Sequence, residues 1–167
     1  SSLIEIGCGE GRLGPILSPF VVEKYFGIDP DKEAINFAKG NFSSSPKIRY
    51  KLGKAEQIPY KNKFDILFYT FSWHFVEDFK KAIKEANRVL EKHGIIVILE
   101  PCEKTTNWRS DVLKKNSQNF SPKEYRLKME DLKKAKDAIY TQKLFKVVSE
   151  EKGDEEKPNI WILKHKN

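Results

Sequence analysis

Apolar residues in this chain fall into short runs separated by polar turns, and two spacings alternate along it. Residues 2–6 form a short apolar run ended by glycines, the pattern of a buried strand. Residues 12–17 predict a short helix, and residues 25–28 a second strand ended by Asp29 and Pro30. Asp31 has the short acceptor side chain that caps a helix, and the helix after it runs to about Lys39 with Ile35 and Ala38 facing inward. Ser43, Ser44, Ser45 and Pro46 make a loop, and residues 48–52 predict a third strand. Residues 64–71 are almost wholly apolar, as a central strand covered on both faces requires. Residues 78–92 carry Phe79, Ile83, Ala86 and Leu90 at helical spacing, with Gly94 placed to stop the helix. Residues 94–99 predict a fifth strand. The crossover at 53–63 is too short for a full helix and predicts a loop and a turn.

The second half is less regular. Residues 107–116 predict a short helix and 122–138 a lysine-rich one. Residues 139–149 and 159–164 predict two strands, joined by a charged turn at 150–157. The sum is an α/β chain: a doubly wound, mostly parallel, seven-stranded sheet with an antiparallel C-terminal strand pair at its edge. There is no internal repeat and no linker, so residues 1–167 are expected to form a single domain.

Composition narrows the classes. The longest apolar stretch, residues 95–99, is far below the roughly 18–20 residues that span a bilayer. There is no signal peptide; the chain lacks an initiator Met and starts almost inside its first strand, so an upstream segment is expected to be missing. Cys8 and Cys102 make neither a metal pattern nor a disulfide framework, which points to reduced thiols and a cytoplasmic location, with no metal. Net charge is +7, and residues 103–167 hold 16 Lys and Arg against 11 Asp and Glu. Such a basic part could face RNA, but a lysine-rich surface that aids solubility is the favoured explanation, because lysines dominate and no aromatic-interleaved basic motif is present.

In a doubly wound sheet, ligands bind beyond the carboxyl ends of the strands near the switch point. Four such ends should converge here: residues 5–11, Asp29, residues 54–56 and residues 70–72. Gly7 and Gly9 permit a sharp turn and close approach to a ligand, and the helix behind them should offer free N–H groups. A dinucleotide fingerprint needs glycines at 7, 9 and 12, but position 12 is Arg and the third glycine is Gly11. Asp29, at a strand end 18 positions after Gly11, can accept both hydroxyls of a ribose.

These motifs together resemble a class I methyltransferase of the small type 11 kind, akin to ubiquinone and menaquinone methyltransferases. The residues that carry the likeness are Leu3-Ile4-Glu5-Ile6-Gly7-Cys8-Gly9-Glu10-Gly11, Tyr25-Phe26-Gly27-Ile28-Asp29-Pro30, Gly53-Lys54-Ala55-Glu56-Gln57-Ile58-Pro59-Tyr60, and Phe64-Asp65-Ile66 leading to Ser72-Trp73-His74-Phe75-Val76-Glu77, with the helix Ala82-Ile83 through Arg88-Val89-Leu90 and the strand Gly94 through Glu100-Pro101. The likeness runs from Leu3 to about Pro101. It implies the Rossmann-like methyltransferase fold, here lacking the family's upstream helix, and an enzyme using S-adenosyl-L-methionine and releasing S-adenosyl-L-homocysteine. It further implies that Gly7, Cys8 and Gly9 contact the methionine part through backbone and that Glu5 helps hold its amino group. Asp29 would grip the ribose with Pro30 alongside, Ala55 and Glu56 would border the adenine, and Thr70 and Phe71 would line the donor.

Two departures stand out. Lys54 occupies a position where the family often has an Asp that bonds the adenine amino group. The family's frequent histidine pair is reduced to His74 followed by Phe75, which leaves one candidate general base. Trp73, Phe75, Trp108, Phe120 and Tyr125 are candidates to shape an acceptor pocket, and residues 101–119 could form a lid. A small-molecule acceptor is favoured because the basic excess is modest and diffuse. The competing readings are an RNA methyltransferase, a non-catalytic partner-binding module, and a nucleotide-dependent oxidoreductase, the last opposed by Arg12.

Overall fold

The computed structural model describes residues 1–20, 23–61, 63–102, 129–154 and 157–166. In chain order the elements are β1 (Leu3–Ile6), α1 (Leu13–Leu17), β2 (Tyr25–Asp29), α2 (Lys32–Phe42), β3 (Ile48–Leu52), β4 (Phe64–Thr70), α3 (Phe79–Val89), β5 (Leu90–Glu100), α4 (Met129–Thr141), β6 (Phe145–Glu151) and β7 (Asn159–His165). The expected helix at 107–116, Trp108, Phe120, Tyr125, and all but the first two residues of the expected lid lie outside the described residues.

The strands form one sheet of seven in the order β3-β2-β1-β4-β5-β7-β6. β1 pairs in parallel with β2 and with β4, so the winding reverses direction between them. β7 runs antiparallel to both β5 and β6, which gives the expected edge pair. Strand alternation sends successive residues to opposite faces. Leu3, Tyr25, Ile48 and Tyr50 pack with Ile35 and Ala38 of α2 on one face. Ile4, Ile6, Ile28 and Leu67 pack with Ala82, Ile83 and Ala86 of α3 and Ala135 and Ile139 of α4 on the other. Glu5 shares the first of these faces with Leu3.

Local chemistry explains the element ends. The Asp31 carboxylate accepts from the N–H groups of Glu33 and Ala34, as expected for the cap of α2. α2 continues to Phe42, three residues past the expected end. α3 stops at Val89 rather than at 92, because Leu90 adopts an extended backbone and joins the sheet opposite Phe64. Ile66 of β4 then pairs with Ile95, so Glu91 to Gly94 are accommodated as an irregularity of the strand. The strand expected to begin at 139 begins at Phe145 instead. Ala135 and Ile139 are buried one helical turn apart, so helical burial overrides the β-branched preference of Ile139.

Candidate functional site at the carboxyl ends of the strands

The loop after β1 turns on three glycines, and Gly7, Gly9 and Gly11 all sit at positive φ (76°, 53° and 77°). Its backbone is tied inward. The N–H groups of Gly7 and Cys8 both donate to the Ile28 carbonyl, at 2.8 and 2.9 Å, and Gly11 N–H donates to the Cys8 carbonyl at 3.0 Å. Gly9 N–H donates to Asp29 Oδ2 at 2.8 Å, while Asp29 Oδ1 accepts from Asp31 N–H at 2.8 Å. The expectation of free N–H groups at a helix start therefore changes: α1 is only five residues long and the glycine-loop donors named above are already satisfied. What the loop offers is space. A Cβ on Gly9 would meet nothing within 4 Å, whereas one on Gly7 would collide with Ser72 Cβ at 2.4 Å.

Tyr50 supports the loop from below. Its hydroxyl donates to the Gly11 carbonyl at 2.7 Å, and its ring fills the room that a side chain at Gly11 or Gly27 would need. No sequence motif marked it; a tyrosine facing two glycines across adjacent strands becomes visible only once the register is known. Cys8 packs its thiol into the same cluster, where burial pushes its pKa far up, and the thiol donates to the Gly9 carbonyl at 3.6 Å.

Glu5 is 2% exposed in the middle of the sheet, and the Tyr25 hydroxyl donates to its Oε2. Burial pushes the Glu5 carboxyl up to about 7, with the Asp29 charge adding to it and the hydroxyls of Tyr25 and Thr70 opposing. A cation arriving beside Glu5 would favour its ionised form. The other strand ends close in on the same crevice. Gly53 N–H donates to the Asp29 carbonyl at 3.1 Å, which ties the end of β3 to that of β2. At the end of β4, Phe71 takes the left-handed backbone (φ 54°) and donates its N–H to the Leu99 carbonyl at 2.8 Å. Ser72 then packs on Gly7 and donates its hydroxyl to the Ile6 carbonyl at 2.5 Å.

The remaining expected residues are placed as follows. Pro30 is exposed beside Asp29. Ala55 is buried, with its methyl group in the core, so only its backbone is available. Glu56 Oε1 accepts from the N–H groups of Glu77 and Asp78 at 2.8 and 3.1 Å, which pins the turn at 54–57 to the start of α3. Lys54 pairs across that turn with Gln57. His74 lies in the turn Trp73–Phe75, buried, with Nδ1 paired to Glu100 Oε2 at the end of β5. Phe75 is exposed and Trp73 is buried in the core. The family likeness includes Glu100 at the end of the fifth strand but gives it no role, and the pairing of β4 with β5 brings it to His74.

The residues fit an adenosyl donor. Open space at Gly9 sits against a carboxylate that has lone pairs beyond its two backbone bonds, with a protonatable carboxyl at Glu5 beneath.

Comparison with known proteins agrees with this geometry. The chain is 30% identical over 102 residues to an uncharacterized methyltransferase of Bacillus subtilis, covering 59% of this chain and 40% of that protein. It is 34% identical over 97 residues to a ubiquinone biosynthesis O-methyltransferase of Pelagibacter ubique, covering 58% of this chain and 40% of that one. The chain thus spans about two fifths of the length of these curated relatives. The fold superimposes on a SAM-dependent methyltransferase of Aquifex aeolicus with a TM-score of 0.68 at 20% identity, over 97% of this chain and 80% of that one. It also superimposes on an S-adenosylmethionine-dependent methyltransferase of Clostridium acetobutylicum with a TM-score of 0.67 at 17% identity, over 99% and 84%. Residues 4–98 match the family model described as a methyltransferase domain, and the chain belongs to this type 11 family of class I methyltransferases.

Proposed function

We propose that residues 1–167 form a single S-adenosylmethionine-dependent methyltransferase domain that methylates a small molecule. The observation that carries this reading is the glycine loop locked onto Asp29, with open space at Gly9. Asp29 holds the ribose hydroxyls, with Pro30 at its side. The backbone of Gly7, Cys8 and Gly9 shapes the bed for the methionine part, and Glu5 favours its ammonium group. Ala55 and Glu56 border the adenine, and Thr70 and Phe71 close the crevice. When bound, S-adenosylmethionine supplies a methyl group on a sulfonium that departs as a neutral thioether. The protein's own task is therefore to place the acceptor in line and to keep water out.

Similarity to a ubiquinone biosynthesis O-methyltransferase and to ubiquinone/menaquinone biosynthesis C-methyltransferases of Campylobacter jejuni supports a small-molecule acceptor. No helix among the described residues is long and apolar enough to cross a membrane, and both cysteines are free, in keeping with action in the cytoplasm. The test is calorimetry of the purified chain with S-adenosylhomocysteine and with NAD. S-adenosylhomocysteine should bind and NAD should not, and Asp29→Ala should weaken binding by at least tenfold. A chain that binds neither would be a non-catalytic module on the same fold.

A further inference from the structure

His74 and Glu100 form a buried pair at the carboxyl ends of adjacent strands. The His74 side chain is 1% exposed and that of Glu100 is 3% exposed. Glu100 uses both oxygens: Oε1 accepts from the Trp73 N–H at 3.0 Å, and Oε2 pairs with His74 Nδ1. Trp73 is itself anchored, since its indole N–H donates to the Ala135 carbonyl of α4 at 2.9 Å and its ring packs edge-on against Tyr69. The imidazole thus has one fixed orientation. Its other nitrogen, Nε2, is buried and has no hydrogen-bond partner among the described residues. Buried polar atoms nearly always have partners, so this nitrogen, like the Tyr69 hydroxyl, Thr70 Oγ1 and His165 Nε2, calls for an explanation. Ser72, two residues before His74, touches the glycine loop, and His74 and Glu100 lie at the same carboxyl ends of the strands as that loop.

Resting on the methyltransferase reading, we propose that Glu100 is a positioning residue: it keeps the His74 proton on Nδ1 and so presents the Nε2 lone pair to a protic acceptor, a phenol-like hydroxyl. A carboxylate that accepts at Nδ1 sets the tautomer by holding the proton there. The acceptor's O–H bond breaks as an N–H bond forms at Nε2, and the methyl group takes the place of hydrogen on the acceptor oxygen. The imidazolium so formed lies against the Glu100 carboxylate, and its proton passes to water as the product leaves. A nucleophile that is already ionised needs none of this.

Two measurements test the pairing. Long-range proton–nitrogen NMR of the histidine rings reads the tautomer with no donor or acceptor present. The wild type should show a protonated Nδ1 and a bare Nε2 on His74, and Glu100→Gln should mix the two tautomers. Methyl transfer to catechol and to thiophenol, followed as S-adenosylhomocysteine released, gives the second readout. At mildly alkaline pH thiophenol is ionised without help. His74→Gln and Glu100→Gln should each lower the catechol-to-thiophenol rate ratio by at least tenfold, with Glu100→Asp restoring part of it. An unchanged ratio, or a proton on Nε2 in the wild type, overturns the proposal. If neither probe is methylated, the tautomer alone decides. Failure of S-adenosylhomocysteine to bind the wild type would instead remove the methyltransferase reading beneath it.

Discussion

Gly9 and Gly11 of the glycine loop do different work, and single methyl groups separate them. At Gly11 a Cβ would stand 2.6 Å from the Tyr50 ring and 2.7 Å from Ala38, on a backbone at φ 77°. Left-handed backbone and overpacking both count, so Gly11→Ala should lower stability by about 3 kcal/mol in urea unfolding. At Gly9 the same methyl group meets nothing, and Gly9→Ala should cost only about 1 kcal/mol from its backbone. It should still weaken S-adenosylhomocysteine binding by at least tenfold in calorimetry, because the methyl group enters the crevice. Glu5 gives a second prediction. The folded protein keeps this carboxyl protonated up to about 7, whereas the unfolded chain releases the proton near 4.5. Between those values the folded state holds more protons, so rising pH removes stability through that window. Glu5→Gln can still accept from Tyr25 and stays neutral throughout. Its urea midpoint should therefore change less than the wild type's between about pH 5 and about pH 8. The place of Glu5 in its motif was legible in the sequence. Its partner was not, because Tyr25 comes to it through the β1–β2 pairing, and strand register depends on contacts between distant residues.

At the level of elements, the strands read well wherever they were short apolar runs between glycines or prolines. The reading failed between α4 and β6, where Ile139 and Tyr140 have strand preferences but Ala135 and Ile139 already shared a helical face. What ends that helix is a side chain. Gln142 Nε2 donates to the carbonyls of Ile139 and Phe145, at 3.1 and 2.7 Å, and its Oε1 accepts from Phe145 N–H at 2.7 Å. A glutamine has no standing as a stop signal, so nothing in the sequence marked this turn. Gln142→Ala leaves three half-buried backbone groups short of a partner and should cost about 1–3 kcal/mol in urea unfolding. S-adenosylhomocysteine affinity should not change, because the turn is remote from the glycine loop. A loss of affinity would mean that α4 and the donor crevice are coupled, and the Ala135 carbonyl of α4 that holds Trp73 is the contact between them.

Among the described residues, one basic cluster lies at the end of the sheet opposite the crevice. Lys92, His93 and Gly94 enter β5, Lys146 enters β6, and Lys164 and His165 leave the antiparallel β7, so together they line one polar pocket at the amino ends of the parallel strands. The glycine loop, Asp29 and Ser72 stand at the carboxyl ends. An RNA drawn to the described cluster would therefore rest far from the methyl donor. A short single-stranded RNA should bind with the salt dependence of few phosphate contacts. Three lysines give a slope of log K against log salt of about −2. Replacing Lys92, Lys146 and Lys164 with Glu should abolish that binding and leave S-adenosylhomocysteine affinity unchanged. Fluorescence anisotropy of labelled RNA, with and without saturating S-adenosylhomocysteine, reads both effects. RNA that competes with S-adenosylhomocysteine, or that survives the triple substitution, would place the polymer at the crevice and turn the acceptor reading from a small molecule to RNA.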